Sequence, residues 1–268
     1  MKDDILHPWY DIDRDEQTQQ IYNRPRSAVY IYEPPAIHKA ASGSAEPYGF
    51  RPADVVLMEL TVRTRKDLDK TAPFEWPDDF YRNLCVSWRD EQMKQGLCDI
   101  AYLCGQEAEN AAGRYVGFCI ACWYSDGKVR CFIPTQKNIN GTTTPVIEDI
   151  EPSNRNYRKP KFTDNAASFK DALQSIADYA DFEWWKNRFR QGLSIMNQDN
   201  VGYYGQEDTF SIPQPYFKYL LAAQVTRLGA GMGSWYDLPT VGTVSHKKYT
   251  NLFTAERNKA LMYAINNC

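Results

Sequence analysis

The sequence predicts an α+β fold: a mainly antiparallel sheet with a packed helix over residues 1–150, a polar linker over 151–165, and a largely helical C-terminal domain over 166–268. Three observations carry this expectation. Apolar and polar residues alternate in the first half, an Asp-Gly pair sits between two apolar runs, and the apolar spacing becomes helical after residue 165.

In chain order, "SAVYIYE" at 27–33 reads as a short strand, because Pro34 and Pro35 remove ladder donors and end the run. The loop after it, "PPAIHKAASGSAEPYGFRP", has the length of a functional or disordered connection. "ADVVLMELTVRTRK" alternates, with Val56, Met58, Leu60 and Val62 on one side and Glu59, Thr61, Arg63 and Arg65 on the other, which predicts a half-buried strand. A helix is expected in "WPDDFYRNLCVSWRDEQMKQG". Pro77 suits its first turn, Asp78 and Asp79 complement its dipole, Gly96 stops it, and Phe80, Leu84 and Trp88 form its buried stripe.

"RYVGFCIACWYSDGKVRCFIP" predicts a hairpin, since Asp126-Gly127 supplies the two positive-φ positions of a type I′ turn. Ser125 opposite Lys128 then puts Tyr124 opposite Val129, Cys122 opposite Cys131 and Ile120 opposite Ile133. One apolar face follows, made of Val116, Phe118, Ile120, Cys122, Val129, Cys131 and Ile133.

From Pro134 to Asn165 the chain is polar, rich in Asn, Thr and Pro, and without helical period, which places the domain boundary there. Beyond it Ser168 and Asp171 have capping-box spacing, and Phe169, Leu173, Ile176, Ala180 and Trp184 form a stripe running to a stop at Gly192. "PYFKYLLAAQVTRL" and "TNLFTAERNKALMYAIN" are further helices, the second turning Phe253, Ala260, Leu261 and Ala264 inward.

A chain of 268 residues is long enough to bury a core without metals or disulfides. Its 31 Lys and Arg against 34 Asp and Glu give a formal charge of -3, so there is no general drive toward nucleic acid or an anionic membrane. "MKDDILHPWYDIDRDE" lacks the apolar core of a signal peptide, and "VGFCIACWY" is too short to span a bilayer, so a cytoplasmic protein is expected. Seven cysteines, an odd number, fit free thiols in a reducing compartment.

The motifs that suggest chemistry are incomplete. Cys119 and Cys122 spell C-x-x-C, but in a strand they point to opposite faces, whereas a redox dithiol starts a helix and a zinc knuckle occupies a turn. Cys122 and Cys131 are expected as opposed buried thiols without a disulfide. "DIDRD" at 11–15 begins like a calcium loop, yet Glu16 and Tyr22 replace the required Gly and Glu. Asp54 and Glu59 are followed by Thr61 where nuclease chemistry needs a lysine. His7, His38 and His246 fall in no metalloprotease or hydrolase motif, and "HKK" at 246–248 reads as a solvated turn. "RNYRKPKF" at 155–162 mixes basic residues with Tyr157 and Phe162, read here as a linker. No cofactor and no metal is expected.

"LGAGMGSWYDLP" at 228–239 has the wrong glycine spacing for a dinucleotide loop and follows a helical pattern, so Gly229 is expected as a left-handed helix cap. Residues 229–237, Gly-x-Gly-Met-Gly-Ser-Trp-x-Asp, together with the helix that follows, resemble the C-terminal segment of uncharacterised bacterial proteins. In those a Gly-Gly-Met-Gly-Ser-aromatic-x-Asp turn joins two helices, and some are immunity partners of toxins. The resemblance covers roughly the last 45 residues, Ala230 departs from the second glycine, and it implies no catalytic residue.

The function expected from these observations is a non-enzymatic protein-binding factor, such as a bacterial immunity or interaction protein. Its contact residues would be Tyr203, Tyr204 and Phe210 in the aromatic segment 199–217, with Trp235 and Asp237 of the glycine corner. Its partner would be another protein or copies of itself. Two alternatives stand beside it. One is an enzyme of hydrolase or transferase type using His38 with Glu59 and Arg63, and the other is a structural subunit of a phage particle or other assembly.

Overall fold

A computed structural model describes residues 52–70, 80–139, 142–150, 156–199, 201, 212–229 and 234–268. The expected strand at 27–33, the loop with His38, the "DIDRD" turn, and Tyr203, Tyr204 and Phe210 lie outside the described residues. The architecture is α+β. Helices α1 (Pro52–Asp69) and α2 (Phe80–Lys94) precede strand β1 (Leu97–Cys104), helix α3 (Gln106–Ala112), and strands β2 (Phe118–Tyr124), β3 (Val129–Ile139) and β4 (Thr142–Ile150). Helices α4 (Ala166–Tyr179), α5 (Glu183–Met196), α6 (Gln214–Val225) and α7 (Val244–Asn267) follow, with a short 3-10 turn, Trp235–Asp237, before α7. The strands form one antiparallel sheet in the order β1-β2-β3-β4.

The expected half-buried strand at 54–65 is helix α1. Every residue from Leu57 to Thr64 is buried, so no polar side marks a helical period, and the alternation of types is accidental. The helix instead pairs its polar residues at i, i+4. Arg63 Nε donates to Glu59 Oε2 at 2.7 Å, and Thr61 Oγ1 donates to the Leu57 carbonyl at 2.7 Å. Glu59 and Arg63 are only 5% and 3% exposed. Removing either alone would break a buried ion pair. Helix α2 ends as expected before Gly96, with Trp88 buried and Leu84 packed at the core edge.

The β2–β3 hairpin is present, but its register is displaced by one residue. Trp123 faces Val129, Cys122 faces Arg130, Ala121 faces Cys131 and Ile120 faces Phe132. Only Gly127 has positive φ, at 82°, and the Tyr124 amide donates to the Lys128 carbonyl at 3.0 Å. The loop therefore holds three residues, Ser125 to Gly127, rather than a two-residue type I′ turn. Cys122 and Cys131 consequently lie on opposite faces, and all seven cysteines are free.

Both faces of the sheet are covered. Helices α1 and α2 pack on the face with Tyr102, Ile120 and Phe132. There Trp88 meets Phe132 edge-on at 5.1 Å, and Tyr124 Oη donates to Gln92 Oε1 at 2.7 Å. Helix α3 and the segment at Tyr157 cover Cys119, Ala121 and Trp123, with Trp123 and Tyr157 stacked at 6.2 Å. The outer edge of β1 is closed by one side chain: Asn266 of α7 accepts from the Tyr102 amide at 2.9 Å and donates to the Tyr102 carbonyl at 2.8 Å. Arg65 of α1 holds the same helix end through the Ile265 carbonyl at 3.0 Å.

The polar segment from Pro134, where the domain boundary was expected, contributes the rest of β3 and all of β4. The single helix expected to run to Gly192 is two helices. Ala180 and Phe182 are extended, with ψ of 117° and 116°, and break it. Gly192 lies inside α5, where a Cβ would stand 2.5 Å from Thr226 Cγ2, so the glycine lets α5 and α6 approach. Ser168 makes no cap; its hydroxyl donates to the Asn165 carbonyl and to Glu256. Phe253, Ala260, Leu261 and Ala264 face inward as expected. Sheet and helices share one contiguous apolar core. At its helical end Arg188 is 3% exposed, with Nε and Nη1 unpartnered, and rests over Trp184 at 4.9 Å. Burial pulls its guanidinium down to about 10, and the aromatic face offsets part of that desolvation. Among the described residues no helix is long and apolar enough to cross a membrane.

Candidate functional site

The glycine corner is clamped at both ends. Helix α6 ends in Thr226, whose Oγ1 bonds back to the Ala222 carbonyl at 2.6 Å. The Trp235 amide then donates to the Leu228 carbonyl at 3.1 Å, drawing the two ends of the corner together. Gly229 is not left-handed, so the expected cap is absent; the helix stops on Thr226. Ser234 and Asp237 form a capping box, with Asp237 Oδ2 accepting from the Ser234 amide at 3.0 Å.

Trp235 belongs to the core, which corrects its expected place on a contact surface. It is 0% exposed, its Nε1 donates to Thr250 Oγ1 at 2.7 Å, and its ring meets Phe189 at 5.3 Å and Trp185 at 5.6 Å. His246 stacks on it at 5.1 Å. That histidine sits buried in the first turn of α7, capped by Thr243, rather than in a solvated turn. Asp237 is exposed, but its carboxylate serves the Ser234 amide. With Trp235 turned inward, its neighbour Tyr236 turns outward and is 52% exposed.

Two clefts flank α7 where it passes the end of β1, and they share Cys104 and Asn258. The first has a volume of about 270 Å³. Arg227 after α6, Gln224 of α6, Tyr236 of the corner and Arg257 of α7 line it with polar groups, together with the apolar Met58, Phe118, Leu228 and Leu261. No carboxylate is among its described lining residues. Arg257 Nε donates to the Ala223 carbonyl at 2.7 Å, which fixes the guanidinium. Burial raises the Tyr236 phenol above its ordinary value of 10, Arg257 opposes that rise, and Tyr115 adds to it. Tyr115, 86% exposed, is near enough to act on the Tyr236 phenol electrostatically.

The second cleft, about 510 Å³, carries Glu107, Asp164 and Glu256. Each carboxylate has internal donors. Tyr157 Oη donates to Glu107, Tyr219 Oη to Asp164 at 2.7 Å, and Ser168, Asn165 and Lys259 to Glu256. Burial pushes Glu256 upward, but the hydrogen bonds from Lys259, Ser168 and Asn165 bring it below its ordinary value of 4.5.

The residues weighed for catalysis do not assemble here. Glu59 and Arg63 face each other inside the protein and line neither cleft, and His38 lies outside the described residues. The C-x-x-C thiols are poor nucleophiles at neutral pH: a hydrogen bond with Cys131, then burial, raises Cys119, and burial raises Cys122. No group of three His, Cys, Asp or Glu able to hold a metal occurs among the described residues. In the basic-aromatic stretch Tyr157 is buried against Trp123, whereas Arg158, Lys159 and Lys161 are exposed, Lys159 being paired to Asp99 at 2.7 Å. Arg227, Arg257, Tyr115 and Tyr236 were missed by sequence reasoning. The one local signal was the Trp235-Tyr236 pair, whose members must face opposite ways once one of them is buried. No family model, curated protein or solved structure matches the chain.

Proposed function

We propose that the chain is a non-enzymatic protein-binding factor whose contact surface is the rim of the arginine cleft. The observation that carries this reading is Tyr236, 52% exposed on a cleft that Arg227 and Arg257 also line, with the 86% exposed Tyr115 near enough to act on its phenol. Tyrosine and arginine dominate binding hot spots, because they give large contact area and directed hydrogen bonds at low entropic cost. The resemblance of residues 229–237 to a turn found in immunity partners of toxins supports the same class. Capture from host lysate with wild-type protein and with a Tyr115→Ala/Tyr236→Ala variant is the test. The variant is expected to lose at least one captured protein, with purified affinity weakened about tenfold or more. Identical captured sets would reject this surface.

A further inference from the structure

We infer that Arg188 in α5 is the seat of a carboxylate supplied from outside the chain, with Trp184 as the cover that turns aside to admit it. The inference stands apart from the tyrosine rim and does not rest on it. Arg188 is 3% exposed, and neither its Nε nor its Nη1 meets a hydrogen-bond acceptor. Among the described residues no carboxylate acts on the guanidinium; burial is the one influence on it. Two indole rings lie beside it instead, Trp184 at 4.9 Å and Trp185 at 5.8 Å. Glu183, the one acid in α5, stands 3.9 Å from Arg190. Aromatic faces offset only part of the hydration that a buried guanidinium loses. An anion brought to it forms a charge-assisted pair in dry surroundings, where such a pair is strongest.

The helix itself gives the path and the ligand class. Trp184, Asn187, Arg188 and Gln191 fall at i, i+3, i+4 and i+7, so they share one face of α5. Trp184, Asn187 and Gln191 are half-buried, so this face meets solvent around the enclosed Arg188. Trp185 is 3% exposed and packed against Phe189 and Trp235. Of the two indoles, the half-buried Trp184 is therefore the one that turns outward, a side-chain motion of an ordinary kind. Once it has turned, the guanidinium fork lies between two carboxamides. These planar donors and the single charge of Arg188 match a planar, singly charged carboxylate, whereas a phosphate dianion draws on more than one cation.

Proton–nitrogen NMR of the arginine Nε–H and indole N–H groups in the full chain tests the inference. Arg188→Met and Trp184→Phe identify the two signals by their loss. Propionate and a blocked alanyl-glutamyl-alanine tripeptide are the carboxylate probes, with propionamide and inorganic phosphate as controls. At least one carboxylate is expected to shift both signals saturably with a common midpoint, and the controls to act at least about tenfold more weakly. A tripeptide at least about tenfold tighter than propionate assigns the carboxylate to a partner protein; any other ratio assigns it to a free organic acid. Arg188→Met is expected to melt at a higher temperature than the wild type without ligand, and to lose the stabilisation that the bound carboxylate gives. An Arg188 signal that neither carboxylate moves, an equal response to propionamide, or tighter binding of phosphate would overturn the seat. So would a lowered melt in Arg188→Met, which would make the cation a structural partner of the indoles. A Trp184 signal that stays fixed while the Arg188 signal shifts would overturn the cover.

Discussion

The two clefts beside α7 are built from the same helix and share two residues, yet they treat charge in opposite ways. In the acidic cleft each carboxylate is met by a phenol, hydroxyl, amide or ammonium of the chain itself, so the polar groups tie α3 to the segment at Tyr157, Asp164 ahead of α4 to α6, and α4 to α7. In the arginine cleft the guanidinium groups line the space without a carboxylate among the described lining residues, and the rim is exposed tyrosine. Volume alone would choose the larger, acidic cleft as the site. Exposure chooses the smaller one, because Tyr236 at its rim is 52% exposed and presents contact area to a partner.

The comparison breaks most completely at Trp235, whose side chain anchors the corner that carries Tyr236. Trp235→Ala is expected to lower stability by about 3–5 kcal/mol, measured by urea unfolding, and to abolish partner capture with it. A smaller loss than about 1 kcal/mol would show that the corner stands without its core anchor. The acidic cleft predicts a separation of effects. Glu256→Ala removes the acceptor shared by Ser168, Asn165 and Lys259, and is expected to cost about 1–3 kcal/mol while leaving partner capture unchanged.

The sign of its pH dependence follows from the lowered Glu256 value. The unfolded chain takes up the proton first, so this contribution is complete above about the ordinary value of 4.5 and is lost as pH falls through the lower folded value. Equilibrium unfolding between neutral and acid pH should show the difference between wild type and Glu256→Ala shrinking toward acid; a constant difference would place the stabilisation elsewhere. The smallest effect sharpens the arginine side. Tyr115→Ala, at an 86% exposed position, is expected to change stability by less than about 0.5 kcal/mol, so its binding loss reads out the surface alone.

What was legible in the sequence depended on how many sides of an element meet water. Helix α7 showed its inward residues because its other side is solvated, and the Asp-Gly pair announced a hairpin. The register escaped because Cys119, Ile120, Ala121 and Cys122 are all buried, so hydrophobicity does not say which face is which. Asp126 and Gly127 serve a three-residue loop as well as a two-residue turn, since Gly127 alone needs the positive φ. Helix α1 was hidden for the related reason that it is buried all round from Leu57 to Thr64. Trp235 and Asp237 were expected as contact residues of the glycine corner, but which ring faces inward is decided by Phe189 and Trp185, distant in sequence. The arginine cleft is assembled from α1, β1, β2, α6, the corner and α7, and no local pattern foretells such convergence.

Asn266 lies 164 residues after Tyr102, the residue whose amide and carbonyl it closes. Until that helix docks, β1 presents an unpaired edge to any other chain nearby. Sheet protection therefore depends on one of the longest loop closures in the fold, a slow step in which a newly made chain is open to strand-to-strand aggregation.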